Sequence, residues 1–434
     1  MIDALVTGRS VPALIAALDL AEVGLRVTVA SDDREWEPPP APTPDPDGLV
    51  RRMLERIAAP IEGTSGGPND AVRPQVLPSV SPMLRDASGS WAAQAEPNVW
   101  GIPASPLATE VQHLLGSRGA TRAYLDRLLP LLTVGKTREL GVLARKRLGA
   151  PACERLVEPL VQERFGVPAA AVEVALAAPG LNEALSRVGS LTAAALAYSE
   201  RHASREARVA PAGGEPALHD ALRRRLELFG VRFADAPVES VHPGDAWQAV
   251  LSDGETIRAR ALVLDAGRSA VPTRVQRHLA PALAPQRVRA LATAALTDAA
   301  GVPAGASGLI IAGGWALRIT AGSGDSGPTV WVAGPASDPQ DPPAHLRASL
   351  DEVLAAAGMP PAQEGSWRVG LAVAPWATAD ERERDLALRA AWQEQHPDAI
   401  AVGHVLAGDG LGVAVEQATT DAVRLRRHLT GIVT

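Results

Sequence analysis

The stretch Ala4–Asp33 reads A-L-V-T-G-R-S-V-P-A-L-I-A-A-L-D-L-A-E-V-G-L-R-V-T-V-A-S-D-D. It opens with a short apolar run, Gly8 follows in a turn, and residues 12–23 carry apolar side chains at helical spacing. Gly24 ends that predicted helix, and residues 25–30 are again largely apolar and β-branched. The stretch therefore predicts a strand, a turn, a helix and a second parallel strand, which is the βαβ unit of a doubly wound sheet.

The turn of this unit departs from the pattern that binds dinucleotides. Such turns read G-x-G-x-x-G, because glycines allow the tight bend, the close approach of the diphosphate and the packing of the helix. Here those positions are Gly8, Ser10 and Ala13. An acidic residue is expected about 20 positions further on to bind the ribose, but position 31 is a serine, followed by Asp32. The scaffold is clear, whereas the ligand-binding positions are altered.

Composition excludes several classes of function. The formal net charge is −7, and the chain has no basic tail or stripe, which argues against nucleic-acid binding. The short run Arg223–Arg225 lies in a predicted helix with acids nearby, which is typical of a solvated helix face. Cys153 is the only cysteine, so an internal disulfide and a cysteine-based metal site are excluded. The sequence shows no metal-ligand spacing and no nucleophile–histidine–acid arrangement, so it identifies neither a metal site nor catalytic residues. It has no signal peptide and no apolar run long enough to span a bilayer, so we expect a cytoplasmic protein.

The rest of the chain predicts two interleaved α/β domains. Helical periodicity dominates residues 105–200, with residues 182–198 predicted as a single helix. Three strands at about 238–241, 247–251 and 256–265 form a meander, and further strands between 287 and 333 form a second sheet. A strand, a glycine loop and a helix complete the chain from Ala399. We expect a discontinuous nucleotide-binding domain of residues 1–70, 205–270 and 365–434, and a second, α+β domain of residues 71–204 and 271–364 with a helical insertion.

With these motifs placed, the sequence resembles the flavoproteins of the protoporphyrinogen and coproporphyrinogen oxidase family, relatives of amine oxidases and phytoene desaturases. The resemblance runs over nearly the whole chain. Its most specific part is the run R-L-G-A-P-A-C-E-R-L-V-E-P within residues 141–160. The other segments that carry it are the N-terminal βαβ unit, A-A-P-G-L-N-E-A-L from Ala177, V-G-S-L from Val188, G-G-E-P-A-L-H-D-A-L from Gly213, the strand at Val238, D-G-E from Asp253 and the C-terminal glycine loop.

The resemblance implies an FAD-dependent oxidoreductase with a Rossmann-like FAD-binding domain. It assigns the diphosphate to the turn, the adenosine ribose to position 31 and the adenine to the backbone of Val238. The loop at Gly403 and His404 would meet the diphosphate and the ribityl chain, and Gly412 and Val413 would lie at the flavin. The cofactor-binding positions that it implies are Gly8, Ser10, Ala13, Ser31, Val238, Gly403, His404, Gly412 and Val413.

The activity implied by the resemblance is oxidation of a porphyrinogen in heme biosynthesis, with electrons passed through FAD to oxygen. The partner would be a small-molecule substrate. The resemblance implies coproporphyrinogen III or protoporphyrinogen IX, but the sequence does not distinguish these from unrelated amines or polyenes. The helical insertion would face this substrate or make a peripheral membrane contact. The sequence leaves the oligomeric state open.

A second hypothesis follows from where the chain departs from the family. Ser10 replaces a glycine, Ser31 replaces the ribose-binding acid, the G-G-R motif after the second strand is absent, and His404 stands where an aspartate is usual. These changes fall on cofactor contacts, while the patterns of the core stay regular. The alternative is therefore a flavoprotein-derived pseudoenzyme that no longer binds FAD and acts as a binding or scaffold protein.

Overall fold

The computed structural model describes residues 1–31, 45, 47–61, 67–77, 81–130, 137–202, 208–267, 273–322, 327–338, 346–408 and 410–431. Most of the proline-rich segment between the second strand and residue 48, together with Asp32, lies outside the described residues.

The strands are 2–10 residues long. In chain order they are β1 Ile2–Val6, β2 Val27–Ala30, β3 Pro74–Leu77, β4 Leu84–Arg85, β5 Trp91–Ala92, β6 Asn98–Val99, β7 Ile102–Pro103, β8 Arg208–Pro211, β9 Arg232–Ala234, β10 Val238–His242, β11 Trp247–Leu251, β12 Thr256–Asp265, β13 Val288–Ala295, β14 Ser307–Ala312, β15 Trp315–Thr320, β16 Thr329–Ala333, β17 Arg368–Val373 and β18 Ala399–Val402.

The α-helices are concentrated in the middle of the chain and at its end. In chain order they are α1 Val11–Ala21, α2 Leu49–Ala58, α3 Thr109–Tyr124, α4 Leu140–Leu148, α5 Ala150–Ala152, α6 Glu158–Phe165, α7 Val174–Ala177, α8 Leu181–Val188, α9 Leu191–His202, α10 Gly214–Leu228, α11 Arg274–Leu279, α12 Leu346–Ala356, α13 Ala379–Gln395 and α14 Leu411–Thr430. None of the helices in the described residues is long and apolar enough to cross a membrane.

The chain divides into two compact units. Unit 1 consists of residues 1–79, 205–286 and 383–434, and unit 2 consists of residues 80–204 and 287–382. Each unit is therefore assembled from segments that are distant in the sequence.

A parallel sheet forms the centre of unit 1. Strand β1 lies between β2 and β12, β9 extends the sheet beyond β2, and β18 pairs with the second half of β12, all in parallel. The hairpin β10–β11 joins the first half of β12 in antiparallel fashion. The predicted βαβ unit and the predicted meander are both present, and the predicted α/β fold class is confirmed.

The helix of the βαβ unit is buried on nearly all sides, which explains its composition. Within α1 only Asp19 escapes full burial, and the other residues are apolar. Alternate residues of β1, Ala4 and Val6, point into the same core as α1, together with alternate residues of β2, β12 and β18. Helices α2, α10 and α14 close this core. Continuous apolar strands of this kind are typical of central strands in parallel sheets.

Unit 2 combines an antiparallel sheet with the predicted helical insertion. The sheet has the strand order β14–β15–β16–β13–β17. One core packs helices α3 to α9 against this sheet, and another core packs α12 with residues of the same strands. Neighbouring residues of β13 and β16 face different cores: Leu291 and Ala333 lie in the first, and Ala292 and Val332 lie in the second.

The helix predicted over residues 182–198 is wrong in one respect, because the structure has two helices there. Gly189 has φ +88° and ends α8, a conformation that favours glycine. Helix α9 then begins at Leu191, whose backbone N–H, with that of Thr192, donates to the buried carboxylate of Asp126 at 2.5 and 3.2 Å. The apolar spacing runs through both helices, so periodicity alone did not show the break.

Asp126 also holds Arg147, and the two form a buried ion pair. The Arg147 guanidinium donates to the carboxylate at 2.5 Å and to the Gly189 carbonyl at 2.9 Å. The side chains are 5% and 0% exposed. Removing one partner of such a pair leaves an uncompensated buried charge.

We expect Arg147→Ala to lower the free energy of unfolding by about 3–5 kcal/mol. Arg145→Ala is the matched control, because Arg145 lies in the same helix as Arg147 but pairs with Glu154 at the protein surface. Ion pairs at the surface contribute little to stability. Urea unfolding followed by circular dichroism measures both. Equal effects of the two substitutions would contradict the role assigned to the buried pair.

Candidate functional site

The turn between β1 and α1 is the first of three neighbouring chain segments at the carboxyl edge of the parallel sheet. Ser10 is the N-cap of α1, and its Oγ accepts the backbone N–H of Ala13 at 3.4 Å. Pro12, in the first turn of the helix, has no N–H to donate. Such an end ordinarily offers free N–H groups to an anion. Here the N–H of Ala13 already has an acceptor within the chain.

The second segment is the end of β12, which places Asp265 against the turn. Strands β1 and β12 run in register, with Val6 beside Val263. The Asp265 Oδ2 accepts the backbone N–H of Ser10 at 2.9 Å, and its Oδ1 accepts the Ser10 hydroxyl at 2.6 Å. The backbone N–H of Asp265 itself donates to the Thr7 Oγ at 3.1 Å. The side chain and the backbone of Asp265 thus both bind the segment that follows β1.

Asp265 is deeply buried, which raises the pKa of its carboxyl group above the ordinary aspartate value. The hydrogen bonds from Ser10 and from the Gly267 N–H, at 2.8 Å to Oδ1, act in the opposite direction. All three groups are donors that suit a carboxylate acceptor. Burial therefore opposes the charged form, while the local geometry stabilises it.

The third segment follows β18 and contains Gly403 and His404. The backbone N–H of His404 donates to the carbonyl of Gly267 at 2.9 Å. Gly403 has φ +134°, and a Cβ at this position would lie 2.8 Å from the Gly267 backbone nitrogen. His404 is buried. Residues 265–267 therefore contact the turn on one side and the Gly403 loop on the other.

Gly412 and Val413 lie in the first turn of α14. A Cβ at Gly412 would lie 3.1 Å from the Cβ of Leu49, so this end of α14 packs closely against the start of α2. Val413 is 38% exposed. Asp409, just before α14, lies outside the described residues.

The remaining predicted positions lie on other strands. Ser31 follows β2, is buried, and its backbone N–H donates to the carbonyl of Ala234 at 3.2 Å. Val238 begins β10 and pairs with Leu251 in the antiparallel hairpin. Within the described residues, no group of three histidine, cysteine or acidic side chains could hold a metal ion.

The structure thus brings Gly8, Ser10 and Ala13 together in one turn and connects that turn to Gly403 and His404 through residues 265–267. The sequence analysis missed Asp265, which it placed only as the last residue of a strand. A signal was present: in A-L-V-L-D an acid ends an apolar strand of the buried, parallel type. An acidic side chain at that edge lies beside the turn whenever its strand pairs with β1.

These contacts decide whether the site fits FAD. A diphosphate at a βαβ turn needs close approach to the backbone of the second glycine position and the N–H groups at the start of the helix. The second position is a serine, and its N–H and hydroxyl are bound to Asp265. The oxygens of Asp265 stand where diphosphate oxygens would accept those bonds. The residues present do not fit an FAD diphosphate.

Comparison with solved structures shows which fold this is. A protein from Exiguobacterium sp. 255-15 described as a candidate protoporphyrinogen oxidase is similar with a TM-score of 0.70 and 15% identity, over 98% of this chain and 99% of that one. A reduced UDP-galactopyranose mutase is similar with a TM-score of 0.56 and 12% identity, over 100% of this chain and 96% of that one. Cyclohexylamine oxidase from Brevibacterium oxydans IH-35A is similar with a TM-score of 0.51 and 15% identity, over 99% of both chains.

No protein-family model matches the chain, and no curated protein matches it in sequence. The likeness is therefore one of structure, and it extends over the full length of the chain. The chain has the fold of these three proteins, and the resemblance read from the sequence is confirmed at the level of the fold.

Proposed function

We propose that this chain is a flavoprotein-derived binding or scaffold protein that does not use FAD. The observation that carries the proposal is the Asp265 carboxylate, which accepts the backbone N–H and the hydroxyl of Ser10 in the turn. The proposal keeps the fold and removes the redox chemistry that a bound flavin would supply.

A diphosphate at this turn would compete with Asp265 for hydrogen-bond donors. A diphosphate would have to displace the Asp265 carboxylate from the Ser10 N–H, the Ser10 hydroxyl and the Gly267 N–H. Each hydrogen bond to a charged group contributes about 1.5–3 kcal/mol. The displaced carboxylate would remain near a ligand of like charge in a buried place, which adds to the cost.

The space beside Gly8 is filled by the protein itself. This glycine has no left-handed backbone conformation, so its φ does not require glycine. A Cβ at position 8 would instead lie 2.3 Å from the Oδ2 of Asp265. The space beside this glycine, which a dinucleotide-binding turn keeps open for its ligand, is thus filled by the side chain of Asp265.

The position that would bind the ribose of FAD lacks its acidic side chain. The acid that would bind the ribose hydroxyls is replaced by Ser31, whose side chain is buried. A lost hydrogen bond to a charged acceptor weakens binding by about 1.5–3 kcal/mol, or one to two powers of ten in affinity. The diphosphate and ribose contacts are therefore weakened together.

FAD-dependent oxidation of a porphyrinogen is the competing function. What supports it is the likeness of fold, with a TM-score of 0.70, to a protein described as a candidate protoporphyrinogen oxidase. It would require FAD to bind with Asp265 displaced from the turn. The two functions differ in whether the chain binds flavin at all.

The contact between Gly8 and Asp265 gives a prediction about stability. We expect Gly8→Ala to lower the free energy of unfolding by about 1–3 kcal/mol, because the new methyl group overlaps the carboxylate. In a chain that already carries Asp265→Ala, the same change should cost less, because Oδ2 and Cγ are gone and only the Cβ of residue 265, 2.7 Å from the new methyl group, still overlaps it. A double-mutant cycle by urea unfolding measures this coupling.

Gly244→Ala is the control for that cycle. A Cβ at Gly244 would make only an ordinary contact, 3.6 Å from the carbonyl oxygen of Ala246. Its effect should be small and the same with and without Asp265→Ala. Additive effects of Gly8→Ala and Asp265→Ala would show that the carboxylate does not occupy the turn.

The proposed function itself is tested by flavin binding. We expect the purified chain to show no flavin absorbance and, in calorimetric titration, to bind FAD with a Kd weaker than about 100 μM, a binding free energy weaker than about −5.5 kcal/mol. With added FAD it should not oxidise coproporphyrinogen III, which is measured by the absence of porphyrin fluorescence. Stoichiometric FAD in the purified chain would refute the proposal, and porphyrin formation in addition would establish the competing function.

A further inference from the structure

The hydrogen bonds around Asp265 have the form of an occupied anion site. Its Oδ1 accepts the Ser10 hydroxyl and the Gly267 N–H at 2.6 and 2.8 Å, and its Oδ2 accepts the Ser10 N–H at 2.9 Å. Three donors from two chain segments thus converge on the two oxygens of one carboxyl group. Convergent N–H and O–H donors of this kind are the usual means by which a loop before a helix binds a phosphate group.

We propose that the Asp265 carboxylate is a built-in substitute for a ligand phosphate, and that the donors around it form a latent binding site for inorganic diphosphate. This inference rests on the proposed function, because it explains how the turn is stabilised in a chain that does not bind FAD. It goes further in naming the ligand class that the turn would accept once the side chain of Asp265 is removed.

The position of Asp265 in the sheet makes the substitution possible. Its backbone N–H donates to Thr7 at 3.1 Å, and the N–H of the next residue, Ala266, donates to the carbonyl of Val402 at 2.7 Å. The backbone at the end of β12 is therefore held on both sides by neighbouring strands. The carboxylate is fixed in the turn by a rigid sheet edge, so it needs no ligand to bring it there.

The burial of the turn explains why an internal acceptor is needed. Ser10 is 5% exposed and Asp265 is 5% exposed, so water has little access to the donors of Ser10. A buried donor without an acceptor carries a large desolvation penalty. In a turn that binds a cofactor, the cofactor phosphate removes this penalty, whereas in this chain Asp265 removes it.

Charge and volume also agree with the inference. An aspartate side chain has two oxygens on one carbon, and these match two of the oxygens of a phosphate group in hydrogen-bond geometry. Shortening the side chain to alanine removes both oxygens and leaves the Ser10 N–H, the Ser10 hydroxyl and the Gly267 N–H directed at the space they occupied. A small anion can enter that space without the rest of a dinucleotide.

The test compares Asp265→Ala with wild type and uses inorganic pyrophosphate as the probe. We expect Asp265→Ala to have a lower Tm than wild type and to regain a large part of that loss as pyrophosphate is added, because the anion binds the folded state. By isothermal titration calorimetry, the variant should bind pyrophosphate at least about tenfold more tightly than wild type, a difference of one power of ten in Kd.

Leu18→Ala is the control. Leu18 is fully buried in α1, so its truncation lowers stability without freeing a hydrogen-bond donor or a cation. This variant should gain nothing from pyrophosphate beyond the response of wild type. An equal response from Leu18→Ala and Asp265→Ala would overturn the inference, because the anion would then act on the whole chain.

If Asp265→Ala folds only when pyrophosphate is present, that result supports the inference. If Asp265→Ala does not fold with or without pyrophosphate, the same titration is made with Asp265→Ser, which retains one small acceptor. A folded variant at position 265 that binds pyrophosphate no better than wild type refutes the inference. The inference can fail while the proposed function holds, provided that purified wild type contains no FAD. FAD in purified wild type refutes the proposed function, independently of how the variants bind pyrophosphate.

Discussion

The hydrogen bonds between Asp265 and Ser10 are the constraint on which the account of this protein depends. They join the end of β12 to the turn after β1, two segments that are 255 positions apart in the chain. They also account for other features of the site. Gly8 must lack a side chain because a Cβ there would meet the carboxylate at 2.3 Å, and Ser10, which is unsuited to close approach by a diphosphate, is well suited to donate to an acid.

A turn of the dinucleotide-binding type has a general difficulty when no ligand is bound to it. The turn before the first helix directs N–H groups at a place that the ligand normally fills, and buried donors need acceptors. In this chain the Ser10 N–H is bound by Asp265, the Ala13 N–H is bound by the Ser10 hydroxyl, and Pro12 has no N–H. The loop after β18 is bound to Gly267 in the same way. The parallel sheet can therefore keep its architecture without a cofactor.

Much of the fold could be predicted from the sequence because it is written in local patterns. The βαβ unit follows from apolar periodicity and from Gly24, and the meander follows from alternating strands with an Asp253–Gly254 turn. The break between α8 and α9 could not be predicted in this way, since it depends on Gly189 and on a carboxylate, Asp126, from another helix. The decisive contact of the candidate site is of the same kind. Ser10 was recognised as a departure from the pattern, but its partner becomes visible only once β12 is placed beside β1.

The central claim is that a carboxylate of the chain, and not a cofactor, occupies the dinucleotide turn. The most direct measurement is a crystal structure of the protein grown in the presence of excess FAD. The account predicts Asp265 within hydrogen-bond distance of the Ser10 backbone N–H and no flavin or diphosphate density at the turn. Diphosphate oxygens bound to the Ser10 N–H, with the Asp265 side chain rotated away, would contradict it.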